Sequence, residues 1–168
     1  MATAQPTTEA MNKVIAAAER GAQLAGGDQR YVTIAKTAMA AVGAELARQI
    51  EHDESASVCA PADVAHDGRY DPGMVLLLKE RVIIAWFEGT LRVKRRSLAY
   101  SYHDISEVAA VARDRGRLSP YRDGISFAAG GTQQEFVLPS KVAKDGLGSM
   151  IKDLLSGAIT FGQESNQN

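Results

Sequence analysis

The sequence predicts an α+β chain: an N-terminal α-helical hairpin, then an antiparallel β-barrel or sandwich capped by a C-terminal α-helix. Three observations predict it. The first part of the chain is alanine-rich, whereas Val, Ile, Phe and Tyr prevail beyond residue 70, the change expected from helix to sheet. Tyr31 and Tyr70 are the only aromatic residues of the first part, and the other eight follow it. Turn dipeptides punctuate the second part at short intervals, Pro72-Gly73, Glu88-Gly89 and Gly130-Gly131 among them, as strand-after-strand patterning requires. The expected division is a disordered polar tail over 1–10, the hairpin over 11–52, a linker over 53–71, the sheet with its helix over 72–160 and a second tail over 161–168.

Thr7 or Thr8 can cap a first helix running to about Leu24, with Val14, Ile15, Ala18, Ala22 and Ala25 as its apolar stripe. Gly26-Gly27 breaks it, and Asp28 caps a second helix whose stripe is Tyr31, Ile34 or Ala35, Ala38, Val42, Leu46 and Ile50. The stripe is thin, so the hairpin needs a surface to cover it: the sheet of its own chain, a partner helix or a second copy. The stretch His52–Tyr70 reads as a linker because it is rich in Asp, Ala and Ser and holds Pro61 and Gly68.

Six strands are expected after Pro72-Gly73: Met74–Leu78, Arg81–Phe87, Thr90–Tyr102 with an irregularity, Ser106–Ala112, Gly124–Ala129 and Thr132–Leu138. Lys79-Glu80 makes a tight turn, Arg113–Asp123 a basic loop, and Gly130-Gly131 a two-residue hairpin turn. Ser140 can cap the last helix, which uses Val142, Leu147, Met150, Ile151, Leu154 and Leu155 as apolar positions and ends near Leu155. Phe161 is expected to dock beyond it.

Composition narrows the function. The chain has 168 residues and net charge −1, so contact with nucleic acid or a membrane surface must come from a local patch. Residues 1–70 carry 6 basic and 9 acidic groups, and residues 71–168 carry 13 and 11. One cysteine, Cys59, excludes an intrachain disulfide and a cysteine-based zinc site. No apolar run approaches the length of a bilayer span, and the start is neither basic nor apolar. The expected location is the cytoplasm, with peripheral membrane attachment as the alternative.

The order of elements resembles the pleckstrin-homology (PH) superfold, and more closely the short bacterial PH-like domains. Glu80–Phe87 and Gly89–Val111 carry the resemblance: an apolar strand, a turn, a basic stretch, a second apolar strand, then Tyr102-His103-Asp104-Ile105-Ser106-Glu107-Val108, with Ile105 and Val108 pointing inward. The helix Lys141–Leu155 matches the family's terminal helix, and the resemblance covers about 72–158. The N-terminal hairpin is not part of it. The resemblance implies a binding module for phosphoinositides, peptides or partner proteins, with self-association in some bacterial members.

Two sets of candidate residues follow. The anion or lipid set is Lys79, Arg92, Lys94, Arg95, Arg96, Arg113, Arg115, Arg117 and Arg122, since guanidinium forks match phosphate oxygens. Lys79 followed by Arg92-Val93-Lys94 is similar to the lysine and basic-x-basic pattern of phosphoinositide-binding members, but the pair falls after the second apolar strand rather than within it. The alternative for these cations is a solvated strand edge and loop. The partner or oligomer set is Tyr31, Ile34, Ala38, Val42, Leu46, Leu118 and Tyr121. The three histidines lack metal spacing, Cys59 has no basic neighbour to activate it, and no segment forms a phosphate loop. The expected function is a non-catalytic interaction module that binds a protein partner and self-associates, with anionic lipid headgroups as the alternative ligand. No cofactor is implied, and nucleic acid is set aside because no aromatic residues interleave the arginines.

Overall fold

The computed structural model describes residues 4–89, 91–113, 117–139 and 146–158. Among the described residues three helices, α1 (Thr8–Leu24), α2 (Gln29–Gln49) and α3 (Leu147–Ser156), accompany seven strands. The strands are β1 (Ala56–His66), β2 (Arg69–Leu78), β3 (Arg81–Glu88), β4 (Lys94–Ser101), β5 (Ile105–Ala112), β6 (Tyr121–Ala129) and β7 (Thr132–Pro139). They form one antiparallel sheet in the order β4-β3-β2-β1-β7-β6-β5. The chain is therefore α+β, as expected. The expected barrel is not closed by hydrogen bonds, because β4 and β5 are the two edges of the sheet. Among the described residues no helix is long and apolar enough to cross a membrane.

The hairpin begins at a real cap: the Thr7 hydroxyl accepts from the Ala10 N–H at 3.1 Å, so the helix starts inside the stretch expected as a disordered tail. Asp28 caps α2 by accepting from the Arg30 N–H at 3.3 Å. The buried stripe of α1 is Ala10, Val14, Ala17 and Gly21 rather than the Ile15 row, and Ile15 is exposed. Gly21 explains the shift. A Cβ there would overlap the Cys59 carbonyl oxygen, so α1 lies directly on the β1 backbone. Arg20 donates to the carbonyls of Ser57 and Ala56, and Lys13 to those of His52 and Glu54, fastening the helix to the chain that follows. On α2, Ala38, Val42 and Leu46 are buried in one cluster with Met74, Leu76, Leu78, Ile83 and Ala85 of the sheet. Tyr31 is buried with the other cluster, and Ile34 is half-buried. This corrects the partner assignment: the hairpin face offered to a partner is occupied by the chain's own sheet.

The stretch expected as a linker is also corrected. Residues 56–66 form β1, and Arg69 already begins β2. Asp67 and Gly68 both have positive φ, 48° and 75°, the geometry of a two-residue hairpin turn. Pro72-Gly73 lies inside β2, opposite Asp63 and Ala62, rather than at a turn. Pro61 is tolerated because β1 reaches β7 only at Asp63 and Val64, so at Pro61 only one side of the strand is laddered. The Gly130-Gly131 turn has the expected positive φ values, 57° and 80°. The third expected strand is shorter, starting at Lys94. A 3₁₀ turn, Tyr102–Asp104, then leads into β5.

The inner face of the sheet gathers Val58, Ala60, Val64, Val75, Leu77, Val82, Ile84, Trp86, Ile125, Phe127, Phe136 and Leu138. Leu147, Ile151, Leu154 and Leu155 of α3 complete that core, one stripe at helical spacing. Gly157 ends α3 in the left-handed conformation, φ 75°. The earlier start expected from Ser140 and Val142, and the docking of Phe161, lie outside the described residues.

Two predictions follow from this packing. Gly→Ala in a helix normally gains up to about 1 kcal/mol. Gly21→Ala instead destabilises by about 1–3 kcal/mol, because backbone rather than a side-chain end must yield. Gly43→Ala meets only the flexible Met39 side chain and stays near neutral. Paired denaturant titrations read the contrast. The second concerns Arg81, which grips Glu54 with two bonds of 2.8 and 2.6 Å and donates to the Gln49 carbonyl. The Arg81 bond lowers the Glu54 pKa below its ordinary 4.5. The stabilisation is therefore complete above that value and is lost as pH falls through the lowered one. A Glu54→Gln variant is less stable than wild type at neutral pH, and the gap narrows in acid.

Candidate functional site

Three surface features carry polar chemistry. The first is the end of the inner face above Trp86. The His66 Nε2 meets Asp71 and stands 3.4 Å from Glu88, while the His66 ring lies 5.0 Å from that of Trp86. Arg69 bridges Asp71 and Glu88 at 3.2 and 3.3 Å, Arg96 stands 3.7 Å from Glu88, and the Trp86 indole N–H donates to Glu88 at 3.2 Å. Each cation here already faces a carboxylate.

The expected basic residues are dispersed over this scaffold. Lys79 sits in the β2–β3 turn and Arg92 beyond the far end of β3. Eight strand residues separate them, about 25 Å. Arg95 points the other way and donates to the Ala41 carbonyl of α2 at 2.7 Å. Arg92 and Lys94 are exposed beside Arg96. Arg113 binds Glu135 at 2.6 Å, and that pairing raises its pKa. Arg117 is exposed, Arg122 is partnered, and Arg115 lies outside the described residues. Among the described members Lys94 and Arg96 share one face of β4, and Arg92 is exposed in the turn before it.

The second feature is a cleft of about 540 Å³ where β1 and β7 part beyond Val64 and Phe136. His66, Arg69, Tyr70, Arg113, Gln133 and Glu135 line it. Its walls satisfy one another: the Tyr70 hydroxyl donates to Glu135, which also accepts from Arg113. Burial, then the Glu135 bond, raises the Tyr70 pKa.

The third feature is a groove of about 300 Å³ between β5, β6 and α3. Ala110, Ala112, Asp123, Ile125, Leu138, Gly148, Ser149 and Lys152 line it. Its outer rim is the free edge of β5. The Arg113 N–H donates to the Arg122 carbonyl at 2.9 Å. Antiparallel alternation then turns the N–H and C=O of Ala110 and Ala112 away from β6, toward the open edge. Ala109, Ala110 and Ala112 are exposed, and the strand's one charge, Glu107, sits at a bulge with φ 54°. Within the groove wall the Asp123 Oδ2 is buried without a hydrogen-bond partner.

The other candidates have structural explanations. Cys59 is buried between hairpin and sheet, and burial pushes its thiol up to about 12, which leaves no thiolate for nucleophilic work. The Tyr31 hydroxyl is buried without a partner, and desolvation, with smaller contributions from Cys59 and Tyr121, raises its pKa. Tyr121 is half-buried, its phenol raised by burial and then by Asp63. Leu118 is 96% exposed. His52 is exposed near Glu9, and His103 is exposed in the 3₁₀ turn. Among the described residues no three His, Cys, Asp or Glu side chains are grouped to hold a metal. Sequence reasoning missed Asp123 and Lys152, which carry no motif, and set His66 aside as part of a linker.

No family model matches the sequence, and a search among curated proteins finds no relative.

Proposed function

We propose that this chain is a non-catalytic, PH-like interaction module that takes an extended segment of a protein partner as an added strand on β5, seated against α3. The element order supports the PH-like reading: β7 returns beside β1, and a C-terminal helix packs on the inner face. One observation carries the binding mode, the unequal treatment of the two sheet edges. β4 presents Lys94, Arg95 and Arg96, charges that discourage edge pairing. β5 presents alanines and outward backbone groups beside a groove. Strand addition uses those main-chain groups for affinity and a neighbouring pocket for selectivity.

The test is selection of a random peptide display library on the immobilised protein. Ala110→Pro removes an N–H that points away from β6, so it leaves the β5–β6 ladder intact. Selected peptides lose about tenfold or more in affinity on Ala110→Pro, and they slow amide exchange in β5 of the wild type. Peptides that bind both proteins equally would overturn the proposal.

A second reading rests on the β3–β4 tip. Leu91 is 99% exposed, and Leu91 to Arg96 are exposed throughout. An apolar tip followed by the exposed Arg92 and Lys94 suits an anionic bilayer, each cation contributing on the order of 1 kcal/mol near the surface. On this reading phosphatidylserine vesicles float the protein at low salt, the binding fades at physiological salt, and Leu91→Glu abolishes it. Failure to float at low salt removes the reading.

A further inference from the structure

We infer that the β5–α3 groove selects a basic side chain: the added segment carries a lysine or arginine whose donor meets Asp123. The inference rests on the strand-addition reading above. Its starting point is the Asp123 Oδ2, buried in the groove wall with no hydrogen-bond partner. A buried carboxylate oxygen left unsatisfied is costly and calls for an explanation. A donor arriving through the groove supplies one.

Register specifies which position of the segment reaches it. Leu138, Asp123 and Ala112 lie opposite one another across β7, β6 and β5. The added-strand residue opposite Ala112 is the next in that row. It stands two strand spacings, about 10 Å, from the Asp123 backbone. Along the sheet, the Ala112 methyl lies between. A short donor such as serine cannot cross that distance, whereas an extended lysine or arginine laid over the alanine can. The neighbouring row on the same face is Phe136, Ile125 and Ala110, so the segment residue opposite Ala110 meets an apolar wall. The recognised pattern is therefore a basic residue two positions from an apolar one. Gly148 and Ser149 of α3 line the same groove with little side-chain bulk.

One competitor is on hand. Lys152 lines the groove and, among the described residues, has no ion-pair partner. If it swung onto Asp123 in solution the carboxylate would already be served. Thermal unfolding of the free protein separates the cases. Asp123→Asn raises Tm, because it removes an unsatisfied charge, while Lys152→Met leaves Tm unchanged. A Lys152→Met variant that melts lower, together with an Asp123→Asn variant that does too, would overturn the inference.

The peptide library supplies the direct test. Peptides sensitive to Ala110→Pro are enriched in Lys or Arg two positions from Val, Ile or Leu. Replacing that basic residue by Gln in the tightest peptide weakens binding to wild type about tenfold or more. The same replacement costs nothing on Asp123→Asn. Ala110→Pro-sensitive peptides without a basic preference, or with a preference that survives in Asp123→Asn, overturn the charge selection and leave strand addition standing. Peptides insensitive to Ala110→Pro overturn both.

Discussion

The first three strands are apolar on both faces, and the rest of the structure depends on that constraint. Met74, Leu76, Leu78, Ile83 and Ala85 face the hairpin, while Val75, Leu77, Val82, Ile84 and Trp86 face the inner core. Burying one large apolar side chain contributes about 1.5–3 kcal/mol, and a domain's net stability is only about 5–15 kcal/mol. Exposing the four large side chains of the hairpin-facing set would thus consume most of that stability. The hairpin is one lid of a sheet that cannot be wetted on either side, and α3 is the other. For the same reason the alanine face of α2 is unavailable to a partner, although its thin stripe alone would have suited one.

The two lids also decide where charge can go. α2 reaches across to β4, where Arg95 donates to the Ala41 carbonyl and Ser97 donates to Glu45. β4 is therefore an edge tethered by a helix and fenced by cations. The hairpin does not extend over β5, and its clusters include no residue of that strand among their buried members. Above Trp86, Asp71 and Glu88 turn Arg69, His66 and the expected anion-site residue Arg96 into a network of opposite charges. Polyanion binding there would have to break those pairs first. The unspent polar capacity lies instead at the opposite edge of the sheet.

Legibility in the sequence followed the physical strength of each signal. Caps at Thr7 and Asp28 and the Gly130-Gly131 turn are local chemistry, and each was readable from a few residues. β1 was not, although Asp67-Gly68 is a strong hairpin signal. Its hairpin-facing residues Ala56 and Cys59 are small, and α1 sits on its backbone at Gly21. A strand packed that closely loses the branched side chains that normally announce a strand, and Pro61 reinforced the reading as a linker. The apolar stripe of α1 was misplaced for the same reason, since a glycine at the contact is invisible to a hydrophobicity pattern. The candidate groove was illegible throughout. Asp123 reads as the end of a basic loop, and only the β6 register places it beside Ala112 and Leu138.

Two buried side-chain polar atoms among the described residues lack partners, the Tyr31 hydroxyl and the Asp123 Oδ2, and they show why burial alone does not mark a site. Tyr31 is a neutral group at the hairpin, 2% exposed, and its ring fills core volume among Ala25, Ala35 and the sheet. An unsatisfied hydroxyl there costs about 1–3 kcal/mol, which the apolar burial of the same ring offsets. Asp123 has no such compensation. Its side chain contributes little apolar area and lines a groove that opens beside backbone groups of β5 already turned outward. An orphan sealed in a core is the residue of packing. An orphan beside a strand edge shares one opening with donors and acceptors that β6 does not use, and a single incoming strand can satisfy both at once.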